Sequence, residues 1–154
     1  MKRDDFLARL KGKFPQADLA PDPLNPEAVR VPSDLLPQAL AFLKDDPDCG
    51  MHYLEYISAV DWPPTHITLV YSLWSWEKAH RVVLKTDLPR DDPNIPTVSH
   101  LWANADWLER EIYDLFGVWF HGHPDPRRIM MPEDWEGHPL RKDYVHPNLA
   151  VRPD

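Results

Sequence analysis

Apolar residues at Phe6, Leu7, Leu10 and Phe14 recur at helical spacing, with Asp4 and Asp5 at one end of the run and Lys11 and Lys13 at the other. That placement suits a helix dipole and predicts a first helix over 4–14. The proline-rich stretch 15–26 breaks it, and 27–31 alternates like a short strand. Ser33 is placed to cap a second helix over 34–44, where Leu35, Leu36, Ala39, Leu40, Phe42 and Leu43 form an apolar stripe and Pro37 falls in the tolerant first turn. Runs 51–60 and 66–74 are β-branched and aromatic, separated by Asp61-Trp62-Pro63-Pro64, which reads as a turn. A third run, 79–86, sets Val82 and Leu84 on one face and Arg81, Val83 and Lys85 on the other. The short link 75–78 fits an antiparallel hairpin.

The next helix has the clearest stripe: Leu101, Ala105, Leu108, Ile112 and Leu115, with Gly117 where a left-handed cap would stop it. The order is α-β-α-β-β-β-α. Short hairpins outnumber crossovers, so the fold class is α+β: two layers, a mixed and mostly antiparallel sheet with helices on it. Two parts are expected, a core domain over 1–117 and an extended C-terminal arm over 118–154. The arm carries Pro124, Pro126, Pro132, Pro139, Pro147 and Pro153, with no period beyond 118–121. It also holds Val118, Trp119, Phe120, Ile129, Met130, Met131, Trp135 and Leu140, too much apolar surface for a solvated tail. Partial burial against another protein is the expectation.

Composition narrows the function classes. With 154 residues and 43% apolar content the chain is long enough for one core. A net charge of −8 argues against nucleic acid, since basic pairs such as Arg127-Arg128 and Arg141-Lys142 are too few to make a basic face. Cys49 stands alone, which excludes a disulfide framework, a thiolate zinc site or iron–sulfur ligation within the chain. No stretch nears the ~18 apolar residues of a membrane span, so membrane contact is expected only through partners. The start has no apolar signal region. The 18 prolines against 5 glycines stiffen the connections.

Candidate chemistry is concentrated after residue 105. Glu109, Arg110, Glu111 and Asp114 lie off the apolar stripe, with i,i+4 pairs Asp106–Arg110 and Arg110–Asp114. They read either as a solvated, salt-bridged face or as an interface whose ion pairs set register. His121, His123, Asp125 and His138 superficially suggest a metal site, hence a free-standing metal-dependent enzyme. A proline-broken arm is a poor ligand scaffold, and loop or partner hydrogen bonds are the plainer role. Cys49 follows Asp46-Pro47-Asp48, a context that raises its pKa. No G-x-S-x-G, G-x-G-x-x-G or Walker loop is present.

The run Trp107-Leu108-Glu109-Arg110-Glu111, Tyr113-Asp114-Leu115-Phe116-Gly117, Gly122-His123-Pro124-Asp125, Arg127-Arg128-Ile129 and Gly137 to Tyr144 resembles the signature of the thirty-kilodalton (C) subunit of respiratory complex I. Upstream, Pro96-Thr97-Val98, Leu101-Trp102, Ala59-Val60-Asp61 and Val70-Tyr71-Ser72-Leu73 are similar as well. Pro126 stands where the family usually has Leu, and Val145-His146 replaces its usual Pro-Leu. The resemblance implies a subunit of the hydrophilic arm of a proton-pumping NADH:quinone oxidoreductase, serving assembly and subunit register. It would lack a cofactor of its own, the FMN and iron–sulfur clusters belonging to the rest of the complex. Its implied partners are the forty-nine-kilodalton (D) subunit and the (B) subunit that holds the terminal [4Fe–4S] cluster. Its implied location is peripheral, on the cytoplasmic side of a prokaryotic cell membrane. The partner-interface candidates are Glu109, Arg110, Glu111, Asp114, His123, Asp125, Arg127, Arg128, His138, Arg141, Lys142 and Asp143. The signature extends to membrane-bound NiFe hydrogenases and ferredoxin-driven quinone reductases, so the electron donor stays open.

Overall fold

A computed structural model describes residues 1–146 of the 154. Helix α1 (Arg3–Lys13) buries Phe6 and Leu10, and the Asp5 carboxylate accepts the Lys2 N–H at 2.8 Å to close its first turn. Two short strands follow, β1 (Ala20–Pro21) and β2 (Ala28–Arg30), then α2 (Leu36–Asp45). Ser33 does not cap α2; a turn over 33–35 leads into it, and Pro37 sits in the first turn as expected. Leu36, Ala39, Leu40 and Leu43 are its buried stripe. Each fully buried leucine contributes roughly 1.5–3 kcal/mol.

The three long strands are β3 (Tyr53–Trp62), β4 (His66–Ser75) and β5 (His80–Pro89). Asp61 and Trp62, expected in a turn, belong to β3, because the loop to β4 needs only residues 63–65. The sheet order is β1-β2-β5-β4-β3, parallel only between β2 and β5. Alternation puts Ile67, Leu69, Tyr71 and Leu73 beside Leu88, Thr86, Leu84 and Val82 on one face, and the helices cover that face. The short parallel pairing is held by buried Asp22, whose carboxylate takes Arg30 Nε at 3.0 Å, Lys85 Nζ at 3.2 Å and the N–H groups of Leu24 and Asn25.

Beyond the sheet, β6 (Asn94–Pro96) pairs in parallel with β7 (Trp119–His121), and α3 (Ala105–Phe116) lies between them in sequence. Helix α3 starts four residues later than its stripe suggests, since Leu101 to Asn104 form turns. The architecture is the α+β two-layer class with a mixed, mostly antiparallel sheet; β2 falls within the short strand expected over 27–31, and β1, β6 and β7 are three further strands of two or three residues outside the expected order. Val118 and Phe120 pack into the same core, so the first residues past Gly117 are continuous with it.

Candidate functional site

Helix α3 ends at Gly117, which holds the left-handed conformation (φ 75°) and returns its N–H to the Tyr113 carbonyl at 2.9 Å. The remaining C-terminal carbonyls of a helix need outside donors. Here the arm supplies them: His138 Nδ1 donates to the Asp114 carbonyl at 3.0 Å, Leu140 N–H to Leu115 at 3.0 Å and Arg141 Nε to Phe116 at 2.6 Å. A Cβ on Gly117 would lie 2.5 Å from the His138 ring. Glycine is therefore required both by the backbone turn and by the seat of that histidine.

Asp114 anchors the other side of the same fold-back. Its Oδ2 accepts three consecutive backbone N–H groups, Ile129 (3.1 Å), Met130 (2.7 Å) and Met131 (2.9 Å), while Oδ1 takes Arg128 Nη1 at 2.7 Å. Arg128 continues to the Gly137 carbonyl at 2.9 Å. Burial alone would raise the Asp114 carboxyl, but the amides and the guanidinium outweigh it and hold it below the usual carboxylate range.

Glu109 is fully buried under α3, accepting the Val98 N–H at 2.7 Å and the Thr97 hydroxyl. Burial pushes its carboxyl above the ordinary value despite those two donors and the His123 ring at 3.8 Å. Tyr71 faces it from the sheet, its hydroxyl enclosed without a partner among the described residues; burial and the Glu109 charge push the phenol well above its usual value. His123 is held between α3 and the following turn, donating Nε2–H to the Asp106 carbonyl at 3.0 Å and accepting the Asp125 N–H on Nδ1. Arg110 stacks on Trp107 at 5.0 Å, donates to the Arg127 carbonyl and lies 3.6 Å from Asp125.

Glu109, Arg110 and Asp114 thus do not form the exposed charged face expected of α3; they are buried, because residues 123–141 fold back over that side of the helix. Glu111 is half-buried, its carboxylate without a partner among the described residues. Arg127 is bidentate to Asp125 at 2.6 and 2.8 Å and largely exposed. Asp143 pairs with Arg90 at 2.6 Å, and Lys142 lies over the Trp62 ring at 5.1 Å. The histidines do not converge: His121 donates to the Asn94 side chain, while His123 and His138 bond backbone on different turns. Among the described residues no group of three or more His, Cys, Asp or Glu side chains could hold a metal ion. Cys49 is buried, and desolvation first, then Asp46, pushes its thiol up to about 12.

Two residues of the site, Asp61 and Arg90, are not among the interface candidates read from the sequence. Buried Asp61 takes Arg90 at 2.7 and 3.0 Å and also the Lys142 N–H at 2.9 Å, clamping the arm to the end of β3. The available signal is period two: Ile57, Ala59 and Asp61 share the inward face of β3, and an inward carboxylate demands a cation.

Fold and site together define an α+β subunit-type chain whose charged tail is a fixed part of its last helix. The chain matches the family of the respiratory-chain NADH dehydrogenase 30 Kd subunit over residues 29–148, and it belongs to that family. The C subunit of the NADH-quinone oxidoreductase of Roseiflexus castenholzii is 41% identical over 140 residues, covering 89% of this chain and 80% of that protein. Among solved structures, a trypsin-resistant fragment (1-134) of Nqo5 is 30% identical with a TM-score of 0.64, covering 81% of this chain and 99% of that one. A chain of the membrane-bound sulfane sulfur reductase, an archaeal respiratory membrane complex, is 29% identical with a TM-score of 0.73, covering 92% and 85%.

Proposed function

We propose that the chain serves as the thirty-kilodalton (C) subunit in the hydrophilic arm of a proton-pumping NADH:quinone oxidoreductase, fixing the register of its neighbours and carrying no redox group itself. The observation that carries this reading is the fold-back of the arm onto α3. It uses the signature charges Asp114 and Arg128 to fix the tail, and leaves Trp107, Trp119, Met130 and Leu140 on the outside at 63%, 42%, 57% and 52% exposure. Exposed tryptophan beside arginine and methionine is the composition of a protein interface. Expected neighbours are the forty-nine-kilodalton (D) subunit and the terminal-cluster (B) subunit, on the cytoplasmic side of a prokaryotic membrane. No helix among the described residues is long and apolar enough to cross a membrane, which fits attachment through those neighbours.

Affinity capture of a tagged chain from native membranes tests this. NADH:quinone oxidoreductase subunits and activity should come with it, and recovery of the chain without companions overturns it. A second reading, the equivalent subunit of another respiratory membrane complex such as a NiFe hydrogenase or ferredoxin-driven quinone reductase, is favoured by the likeness to the sulfane sulfur reductase chain. The companions recovered, and the electron donor they oxidise, separate the two.

A further inference from the structure

The charges of the arm are almost all used inside the chain. Asp125 holds Arg127, Arg128 holds Asp114, Arg141 caps α3, Lys142 covers Trp62 and Asp143 holds Arg90. Asp134 and Glu136 are different. Both are exposed, and neither carboxylate has a hydrogen bond or ion pair among the described residues. They flank Trp135, whose ring stacks on His146 at 4.6 Å and 11°, with Tyr144 next to His146 at 6.4 Å. Gly137, in the left-handed region (φ 82°), lets this aromatic column close, because a Cβ there would lie 2.8 Å from the Tyr144 ring. Asp134, Trp135, Glu136, Tyr144, Val145 and His146 line a notch of about 280 Å³. The Trp135 indole N–H is enclosed, without an acceptor among the described residues.

We infer that this notch receives a lysine or arginine side chain from a neighbouring subunit. Aromatic faces form its walls and two uncommitted carboxylates its rim, the combination that recognises a cation by charge and by ring quadrupole. The body's net charge of −8 favours approach by a cationic partner and opposes a second copy of this chain. The inference rests on the subunit reading above and names the chemistry of one contact within it.

The test is made on the complex captured from native membranes. Reversal of both charges, Asp134→Lys with Glu136→Lys, should cut retention of the chain by about tenfold or more. The melting temperature of the isolated variant should stay at the wild-type value, since neither carboxylate bonds among the described residues. Retention equal to wild type overturns the inference. Should the reversed chain fold poorly, Asp134→Asn with Glu136→Gln keeps the shape; that pair must make retention weaker and less dependent on salt, and unchanged retention at every salt concentration overturns the inference equally. If the wild-type chain brings no companions, it is the subunit reading that fails.

Discussion

The Asp114 carboxylate and the Arg128 guanidinium meet at 2.7 Å, and the same carboxylate collects the three N–H groups that follow Arg128 in sequence. One buried anion therefore fixes both the side chain and the backbone path of the arm. Asp114→Asn turns one of the two acceptor oxygens into a donor, set against either the three amides or the Arg128 guanidinium, and removes the charge that guanidinium is paired with. The expected loss is about 3 kcal/mol of stability by urea unfolding. Trypsin should also cut early after Arg127 and Arg128 while residues 1–117 resist. Wild-type stability with a wild-type cleavage pattern would show that the arm is held elsewhere.

Gly117 and His138 form a second lock. Gly117→Ala meets two obstacles, a left-handed backbone worth ~1 kcal/mol and a ring 2.5 Å from the new methyl group. The substitution should destabilise by about 2 kcal/mol or more. His138→Ala clears the methyl but abandons the Asp114 carbonyl. The double variant should therefore lose less than the sum of the single losses, and simple additivity in a double-mutant cycle would refute the contact.

Much of the fold is legible in the sequence because burial is one-sided. The helical stripes of α1 and α2 and the alternation in β5 place Phe6, Leu10, Leu40, Val82 and Leu84 correctly in the core. Gly117 is legible as a cap because a left-handed residue ends a helix in that way. The charged side of α3 is not. Spacing assigns Glu109 and Asp114 to a solvated face unless something covers it, and what covers it is a segment without period, joined by backbone donors that leave no residue signature. Arg90 and Asp61 are hidden for a related reason: their partnership spans 29 residues of sequence, and Trp62-Pro63-Pro64 gives Asp61 the look of a turn residue.

The Asp61–Arg90 pair is nearly enclosed, at 1% and 11% side-chain exposure. Removing the guanidinium in Arg90→Ala leaves an uncompensated buried carboxylate and should cost about 3–5 kcal/mol. Asp61→Asn in the Arg90→Ala background should restore part of that loss. Equal stability of the single and double variants in urea would mean that Asp61 is already neutral or solvated. The Lys142 amide should also lose hydrogen-exchange protection in Arg90→Ala, because Asp61 is its acceptor.

Glu109 makes the chain's pH dependence two-sided. Asp61 and Asp114 have lowered values, so below the unfolded aspartate value of 3.8 the unfolded chain binds more protons. Their contribution is complete above that value and is lost as the pH falls through the folded ones. Glu109 has a raised value, so from its unfolded 4.5 upward it is the folded chain that binds the extra proton. That contribution is present at acid pH and is lost as the pH rises through the folded value. Stability should therefore climb steeply out of the acid range; above 4.5 the loss from Glu109 runs against a gain from His138, whose buried ring has a lowered value and favours the folded chain as the pH rises toward its unfolded 6.5. Glu109→Gln keeps an oxygen for the Val98 N–H and has no proton to lose, so it should remove the Glu109 loss alone, leave the acid limb in place and gain on wild type as the pH rises to 7. Glu109→Ala should instead lose about 2 kcal/mol at every pH, from the stranded Val98 donor. Melting curves of the three proteins from pH 3 to 8 decide it: a Gln profile parallel to wild type throughout, with no relative gain toward neutrality, would place the titrating group somewhere other than Glu109.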